Sequence, residues 1–220
     1  MKTAVIFDLD GTLVDSSPDI AAALNKAFAP WGVSELTAPE VLGMLGGGPR
    51  ALIAQALTAI DGPLDDESLD EALARYSAEY LAAPSAKTEF FADAAKVIPK
   101  LAARGLKLGI CTNKRTELAD LLLEHLGVRA YFSALVGVDR AAYPKPHPMH
   151  LEQTMAELDV TPEECVYVGD TAIDQSTARA AGVRYTHVAW GHEIEGNDTR
   201  LECFEDLMPI VEPPGSPPTV

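Results

Sequence analysis

"VIFDLDGTLVDS", Val5 to Ser16, sets an apolar run directly before two aspartates, Asp8 and Asp10, with Gly11-Thr12 behind the second. Such a run reads as a buried β-strand, and an unpaired carboxylate is costly to bury. Either the two acids stand at an exposed strand end, or a cation pairs with them there. The rest of the chain bears on that choice.

Five apolar segments read as buried strands: Thr3–Asp8, Leu106–Thr112, Ala134–Val138, Cys165–Gly169 and Tyr185–Ala189. Helical patterns fill most of the intervals, over Ala94–Arg104, Glu117–Leu126, Met149–Leu158 and Asp174–Ala181. This alternation predicts an α/β fold, a doubly wound, Rossmann-like parallel sheet covered on both faces.

From about Ser16 to about Ala83 the alternation stops, and only helical signals remain. Ser17 is expected as an N-cap with Pro18 at the first helical position. Ile20, Leu24, Ala27, Phe28 and Trp31 then share one face. Further helices are expected around Pro39–Leu45, Pro49–Ile60 and Asp66–Leu81. The division that follows is a core of residues 1–15 and 84–211 and an inserted helical cap of residues 16–83. Its hinges fall near Val14–Ser16 and Ala83–Thr88. The tail at 212–220, "EPPGSPPTV", has no hydrophobic pattern and is expected to be disordered.

Composition narrows the function. The chain has 220 residues, enough for one large domain or a domain carrying an insertion. Its 17 basic and 33 acidic residues leave a net charge of −16, which disfavours nucleic acid and anionic membrane surfaces as partners. No apolar run reaches membrane-spanning length, and the N-terminal residues show no signal-peptide pattern. Cys111, Cys165 and Cys203 are far apart with no CxxC pairing, so a reducing cytoplasm is expected. Asn197-Asp198-Thr199 matches a glycosylation acceptor, which reads as accidental without a secretory signal.

The polar residues that stand out share one location. Asp8 ends the first predicted strand, Thr112 the second and Asp170 the fourth. In a doubly wound sheet, ligands bind beyond the carboxyl ends of strands where the strand order reverses. With the first strand central and the second and fourth beside it, these residues converge. Lys145, in "YPKPHP" after the third strand, reaches the same cleft.

"DLDGTLVDS", "CTNK", "PKPHP" and "VGDTAIDQSTARAAG" together resemble the four motifs of the haloacid-dehalogenase-like hydrolase superfamily. The likeness spans nearly the whole chain. It is strongest to the phosphoglycolate phosphatase group, in "LGICTNK", "KPHP", "ARAAG" and the helical insertion. One departure is "FFADAAKVI", where relatives often have Pro-Gly, and it bears on the second hinge.

The resemblance implies a Mg2+-dependent phosphatase acting on a small phosphorylated metabolite, 2-phosphoglycolate foremost. Asp8 would attack phosphorus and form an aspartyl-phosphate. Asp10 would protonate the leaving oxygen and then deprotonate water, and Gly-Thr allows the tight turn that brings it over Asp8. The side chains of Asp8 and Asp170 and the backbone carbonyl of Asp10 would hold magnesium, with Asp174 supporting from behind. Thr112 and Asn113 would donate to phosphoryl oxygens, and Lys145 would supply a cation. In "GGGPR", Gly46–Arg50 is the expected specificity loop: the amides of Gly47 and Gly48 face an anion, and Arg50 contacts a carboxylate or sugar oxygen.

Other activities fit less well. Dehalogenases of this superfamily lack an acid–base aspartate at the place of Asp10. A phosphonatase needs a cap lysine, and the only one is Lys26 on the first helix. A β-phosphoglucomutase-type mutase shares the aspartates but grips a second phosphate with a basic pair, of which Arg50 supplies one member. A non-catalytic phosphoanion-binding protein would be missing at least one of Asp8, Asp10, Thr112, Lys145 and Asp170. "GHEIEG" lacks the second histidine of a zinc-protease motif. His147, His187 and His192 read as hydrogen-bonded loop or strand residues.

Overall fold

The computed structural model describes residues 2–83, 85–196 and 199–211. The tail at 212–220 and the Asn197-Asp198 part of the acceptor match lie outside the described residues. The chain begins with strands β1 (Ala4–Phe7) and β2 (Val14–Asp15) and continues through helices α1 (Ser17–Phe28), α2 (Ala38–Leu42), α3 (Pro49–Ala59) and α4 (Asp66–Ala82). It then runs through β3 (Glu89–Phe90), α5 (Ala94–Ala103), β4 (Lys107–Cys111), α6 (Thr116–His125), β5 (Phe132–Val136) and α7 (Pro148–Leu158). The last elements are β6 (Cys165–Gly169), α8 (Ala172–Ala180), β7 (Arg184–Val188), β8 (Thr199–Leu201) and α9 (Met208–Val211).

The main sheet has the order β5-β4-β1-β6-β7-β8, and every neighbouring pair is parallel. β1 is central and fully buried, as a continuous apolar strand between two helical layers should be. Its residues alternate between the layers. Val5 and Phe7 join the core under α5 and α6, while Ala4 and Ile6 join the core under α7 and α8. β4 and β6 flank β1, so the carboxyl end of β1 opens at the point where the strand order reverses.

Helices α1 to α4 form a separate apolar cluster around Ile20, Leu24, Phe28, Ile53, Leu57 and Tyr80, with Leu118 of α6 as its contact from the sheet side. β2 and β3, which bracket this insertion, pair antiparallel through Val14↔Phe90 and Asp15↔Glu89. Asp19 on α1 strengthens the bracket: its buried carboxylate accepts from the Lys87 and Thr88 backbone and hydroxyl donors, at 2.9 Å from Lys87 N and 2.7 Å from Thr88 Oγ1. Lys87 and Thr88, just before β3, are thereby tied to α1.

Several boundaries differ from the sequence reading. β5 occupies Phe132–Val136 rather than Ala134–Val138, because the chain turns at Gly137, packed against the Lys114 carbonyl and the Thr116 amide. β7 starts and ends one residue early. Ser17 is the first helical residue of α1 and not its N-cap. The cap position falls on Ser16, whose hydroxyl is taken by Asp10, while Asp15 Oδ1 accepts from Ser17 N and Oγ. β2, β3 and β8 were not expected; at two or three residues each they carry no readable period. In "FFADAAKVI", Ala92 adopts φ +44°, a left-handed conformation that favours glycine.

Candidate active site

Asp8 follows directly on β1, and its amide donates to the Val168 carbonyl of β6. The side chain is buried. Lys145 Nζ, itself buried, lies 3.0 Å from Asp8 Oδ2, 2.7 Å from Asp174 Oδ1 and 3.0 Å from the Tyr167 hydroxyl. Three ammonium protons thus meet three acceptors. Burial opposes the charge on Lys145, but Asp174 and Asp8 outweigh it and hold its pKa above the usual lysine range. His150 steadies the same loop from below: Nδ1 accepts from the Lys145 amide, and Nε2 donates to the Val136 carbonyl. Burial pushes its pKa down to about 4, which keeps the ring neutral.

Asp170 follows β6 and is buried beside Asp8. Thr12 Oγ1 donates to its Oδ1 at 2.7 Å. Gly11 makes room for that carboxylate: it sits at φ +83°, and a Cβ there would stand 2.3 Å from Asp170 Oδ2. The Gly-Thr pair of the opening motif therefore serves Asp170 as well as the turn.

Asp174 sits at the first turn of α8 and commits both oxygens. Oδ1 accepts from Lys145 and Tyr167, and Oδ2 accepts from Thr171 N and Oγ1. Burial works to raise its pKa, but Lys145 and these donors together carry it below the usual carboxylate range.

The charge balance of this cluster tests for a metal. Asp8, Asp170 and Asp174 bring carboxylate oxygens within 4.8 Å of one another, and Lys145 is the ammonium among them. Asp8 Oδ1 is buried with no hydrogen-bond partner. Burial lifts Asp8 to about 6, and burial with the charges of Asp174 and Asp8 lifts Asp170 well above its ordinary value. Crowded, under-neutralised oxygens of this kind fit a hard divalent cation. With Asp174 committed elsewhere, Asp8 and Asp170 are the carboxylates left to hold it.

Asp10 lines the same cleft as Asp8. Its carboxylate accepts from the Ser16 hydroxyl and from Lys114 Nζ, at 3.0 Å to Oδ1 and 3.1 Å to Oδ2. Lys114 also donates to the Tyr80 hydroxyl at 2.8 Å, and its ammonium lies 4.6 Å from the centre of that ring. Thr112 lies at the end of β4 on the cleft floor. The cleft runs between the sheet end and α1, α3 and α4.

Of the sequence-predicted site residues, Asp8, Asp10, Thr112, Lys145, Asp170 and Asp174 come together at the end of β1. Asn113 also arrives, but its carboxamide is occupied: Nδ2 donates to the Gly46 and Lys145 carbonyls, and Oδ1 accepts from the Lys145 amide. It braces two loops instead of presenting a side-chain donor to a phosphoryl oxygen. Gly46 and Gly48 line the cleft, whereas Gly47 does not. Arg50 is turned away, because Asp66 and Asp70 on α4 hold its guanidinium at the exposed surface. His147 caps α7 by accepting from the Met149 amide, and the His187 ring bonds the Tyr185 hydroxyl and the His192 carbonyl, as loop and strand histidines do.

The sequence reading gave no part to Lys114, Tyr80, Tyr167 or His150. Lys114 carried a signal, since it stands two residues beyond Thr112 in "CTNK". Tyr76 and Tyr80 carried another, as an i,i+4 aromatic pair, and they stack with ring centres 5.6 Å apart.

Comparison with known proteins agrees with this fold. The family described as haloacid dehalogenase-like hydrolase matches residues 5–188. The chain is 39% identical over 216 residues to a protein of Rhodospirillum rubrum named phosphoglycolate phosphatase, covering 96% of this chain and 90% of that one. A Cereibacter sphaeroides protein of the same name is 39% identical over 188 residues, 86% of this chain and 85% of that one. Among solved structures, a predicted phosphoglycolate phosphatase from Haemophilus somnus superposes with a TM-score of 0.88 at 24% identity, over 96% of this chain and 98% of its own. CbbY from Rhodobacter sphaeroides, in complex with phosphate, gives 0.78 at 24% identity, over 94% of this chain and 97% of its own. Both likenesses are of fold.

Proposed function

We propose, because the chain belongs to the haloacid dehalogenase-like hydrolase family, that it is a Mg2+-dependent phosphatase of a small phosphate ester, with 2-phosphoglycolate as the substrate. The observation that carries this reading is Asp8: a buried carboxylate with one oxygen fixed by Lys145, the other without a partner, facing a cleft that Asp10 shares. The name borne by the Rhodospirillum and Cereibacter relatives supports the choice of ester.

In the proposed reaction, a carboxylate oxygen of Asp8 attacks phosphorus, and the bond to the ester oxygen breaks. Asp10, in its protonated form, gives a proton to that leaving oxygen. It then takes a proton from water, whose oxygen attacks the aspartyl-phosphate, releasing phosphate and restoring Asp8. Lys145, with its three protons on Asp8, Asp174 and Tyr167, holds the nucleophile in place. Thr112 supplies a hydroxyl near the phosphoryl group. Asp8, Asp170 and the backbone carbonyl of Asp10 would hold Mg2+, which screens repulsion between a carboxylate and a phosphate dianion.

Residues 16–83 act in this reading as a cap over the leaving group, opening about the β2–β3 bracket. A phosphosugar mutase needs a cap cation for a second phosphate, and the commitment of Arg50 to α4 weighs against it. The three free cysteines suit a reducing, cytoplasmic setting. The test is phosphate release with Mg2+ over a panel of small esters. Asp8→Asn should lower the rate by at least about a thousandfold while its melting temperature stays near wild type. A variant that keeps wild-type turnover would overturn the mechanism.

A further inference from the structure

Tyr80 is fully buried in the helical insertion, and yet it is among the residues that line the cleft. Burial, reinforced by Asp10 and Asp19, holds its pKa well above the ordinary value, so the phenol keeps its proton. Its oxygen accepts from Lys114. The hydroxyl proton has no acceptor among the described residues. A phenol has one such proton to donate, and leaving it unpaired in a buried place is unfavourable. An acceptor bound in the cleft would satisfy it.

The same helix presents a second phenol. Tyr76, four residues earlier, stacks on Tyr80 at an interplanar angle of 13° and also lines the cleft. No hydrogen bond engages its hydroxyl among the described residues. Two donors therefore stand on one face of α4, opposite the end of β1, in the place where the sequence had put Arg50.

We propose that Tyr80, with its oxygen held by Lys114, is a specificity-determining residue that donates a hydrogen bond to an anionic oxygen of the leaving group, with Tyr76 as its companion. This rests on the phosphatase reading above. The charge available selects a carboxylate over a second phosphate. Lys114 is already bonded to Asp10, and exposed Arg115 at the rim is the further cation lining the cleft. A second phosphate dianion would be under-neutralised there, whereas a carboxylate brings a single charge and one of its oxygens fits a phenol donor.

The experiment compares kcat and KM of wild type, Tyr80→Phe and Tyr76→Phe with Mg2+ on 2-phosphoglycolate and on ethyl phosphate, which lacks the carboxylate. For Tyr80→Phe, the ratio of kcat/KM for 2-phosphoglycolate to that for ethyl phosphate should fall about tenfold, carried by KM. Product inhibition by glycolate should weaken by the same factor. Tyr76→Phe should move both readouts in the same direction by a smaller amount, which keeps the test open if Tyr80→Phe folds poorly. An unchanged ratio in folded variants would overturn the inference, as would a wild-type preference for a bisphosphate ester. Failure of wild type to hydrolyse any ester would instead overturn the phosphatase reading.

Discussion

At the scale of single residues, the site depends on which buried charges find partners. Lys145 answers Asp8, Asp174 and Tyr167, and it can do so only while its own loop is held from beneath by a neutral His150. The unfolded chain protonates a histidine near pH 6.5, whereas this one resists until about 4. Between those values the unfolded state binds more protons than the native state, so stability rises with pH and is lost as pH falls from 6.5 towards 4. The loss is on the order of 3 kcal/mol. His150→Gln should therefore be less stable than wild type at pH 7.5 but show a flatter decline into acid. Chemical denaturation of both proteins at pH 7.5 and 4.5 measures this, and parallel declines would refute it. Taking the difference between the two proteins cancels Asp8, whose raised pKa acts with the opposite sign over part of the same range.

At the scale of elements, the insertion is aimed by a short ladder and one carboxylate. β2 pairs with β3 over two residues, and Asp19 closes the bracket by accepting from Lys87 and Thr88. Just beyond β3, Ala92 is held at φ +44°. An L-residue in that region costs about 1–2 kcal/mol relative to glycine, a gain partly offset by the greater freedom glycine has when unfolded. Ala92→Gly should raise stability by about 1 kcal/mol, or roughly 2–4 °C in melting temperature, without altering the active-site residues. A melting temperature below wild type would show that the bracket does not strain this residue. Elements also explain the errors in the sequence reading. Two-residue strands have no period to detect, and β5 stopped early because Gly137 turns against the loop that follows β4. Longer elements were legible: β6 matched residue for residue, since five consecutive buried positions leave a continuous apolar run.

Across the whole molecule, three carboxylates meet behind one ammonium in a chain already carrying a net charge of −16. That concentration of negative charge at one sheet end should make folding stability sensitive to divalent cations. A ligand at a hundred times its Kd stabilises the native state by about 2.7 kcal/mol. For a chain of this size that is roughly 5–10 °C. Mg2+ should raise the melting temperature by that amount, EDTA should reverse it, and Asp170→Asn should abolish the response. Equal shifts in wild type and Asp170→Asn would place the ion elsewhere.

The sequence by itself determined the alternation of strands and helices, the parallel sheet, and the residues that end β1, β4 and β6. Each of these is local: an apolar run of buried length, followed at once by the polar residue that terminates it. A strand order with β1 in the middle then brings Asp8, Thr112 and Asp170 to one place. What only the tertiary structure decided is which cation and which donors face the cleft. Arg50 sits in the suggestive glycine-rich loop, but Asp66 and Asp70, 16 and 20 residues further on, draw it to the surface when α3 packs on α4. Lys114 and Tyr80, 34 residues apart, meet over Asp10 in its stead. Long, flexible charged side chains go to whichever opposite charge the packing brings within reach, and neither spacing nor composition encodes that distance.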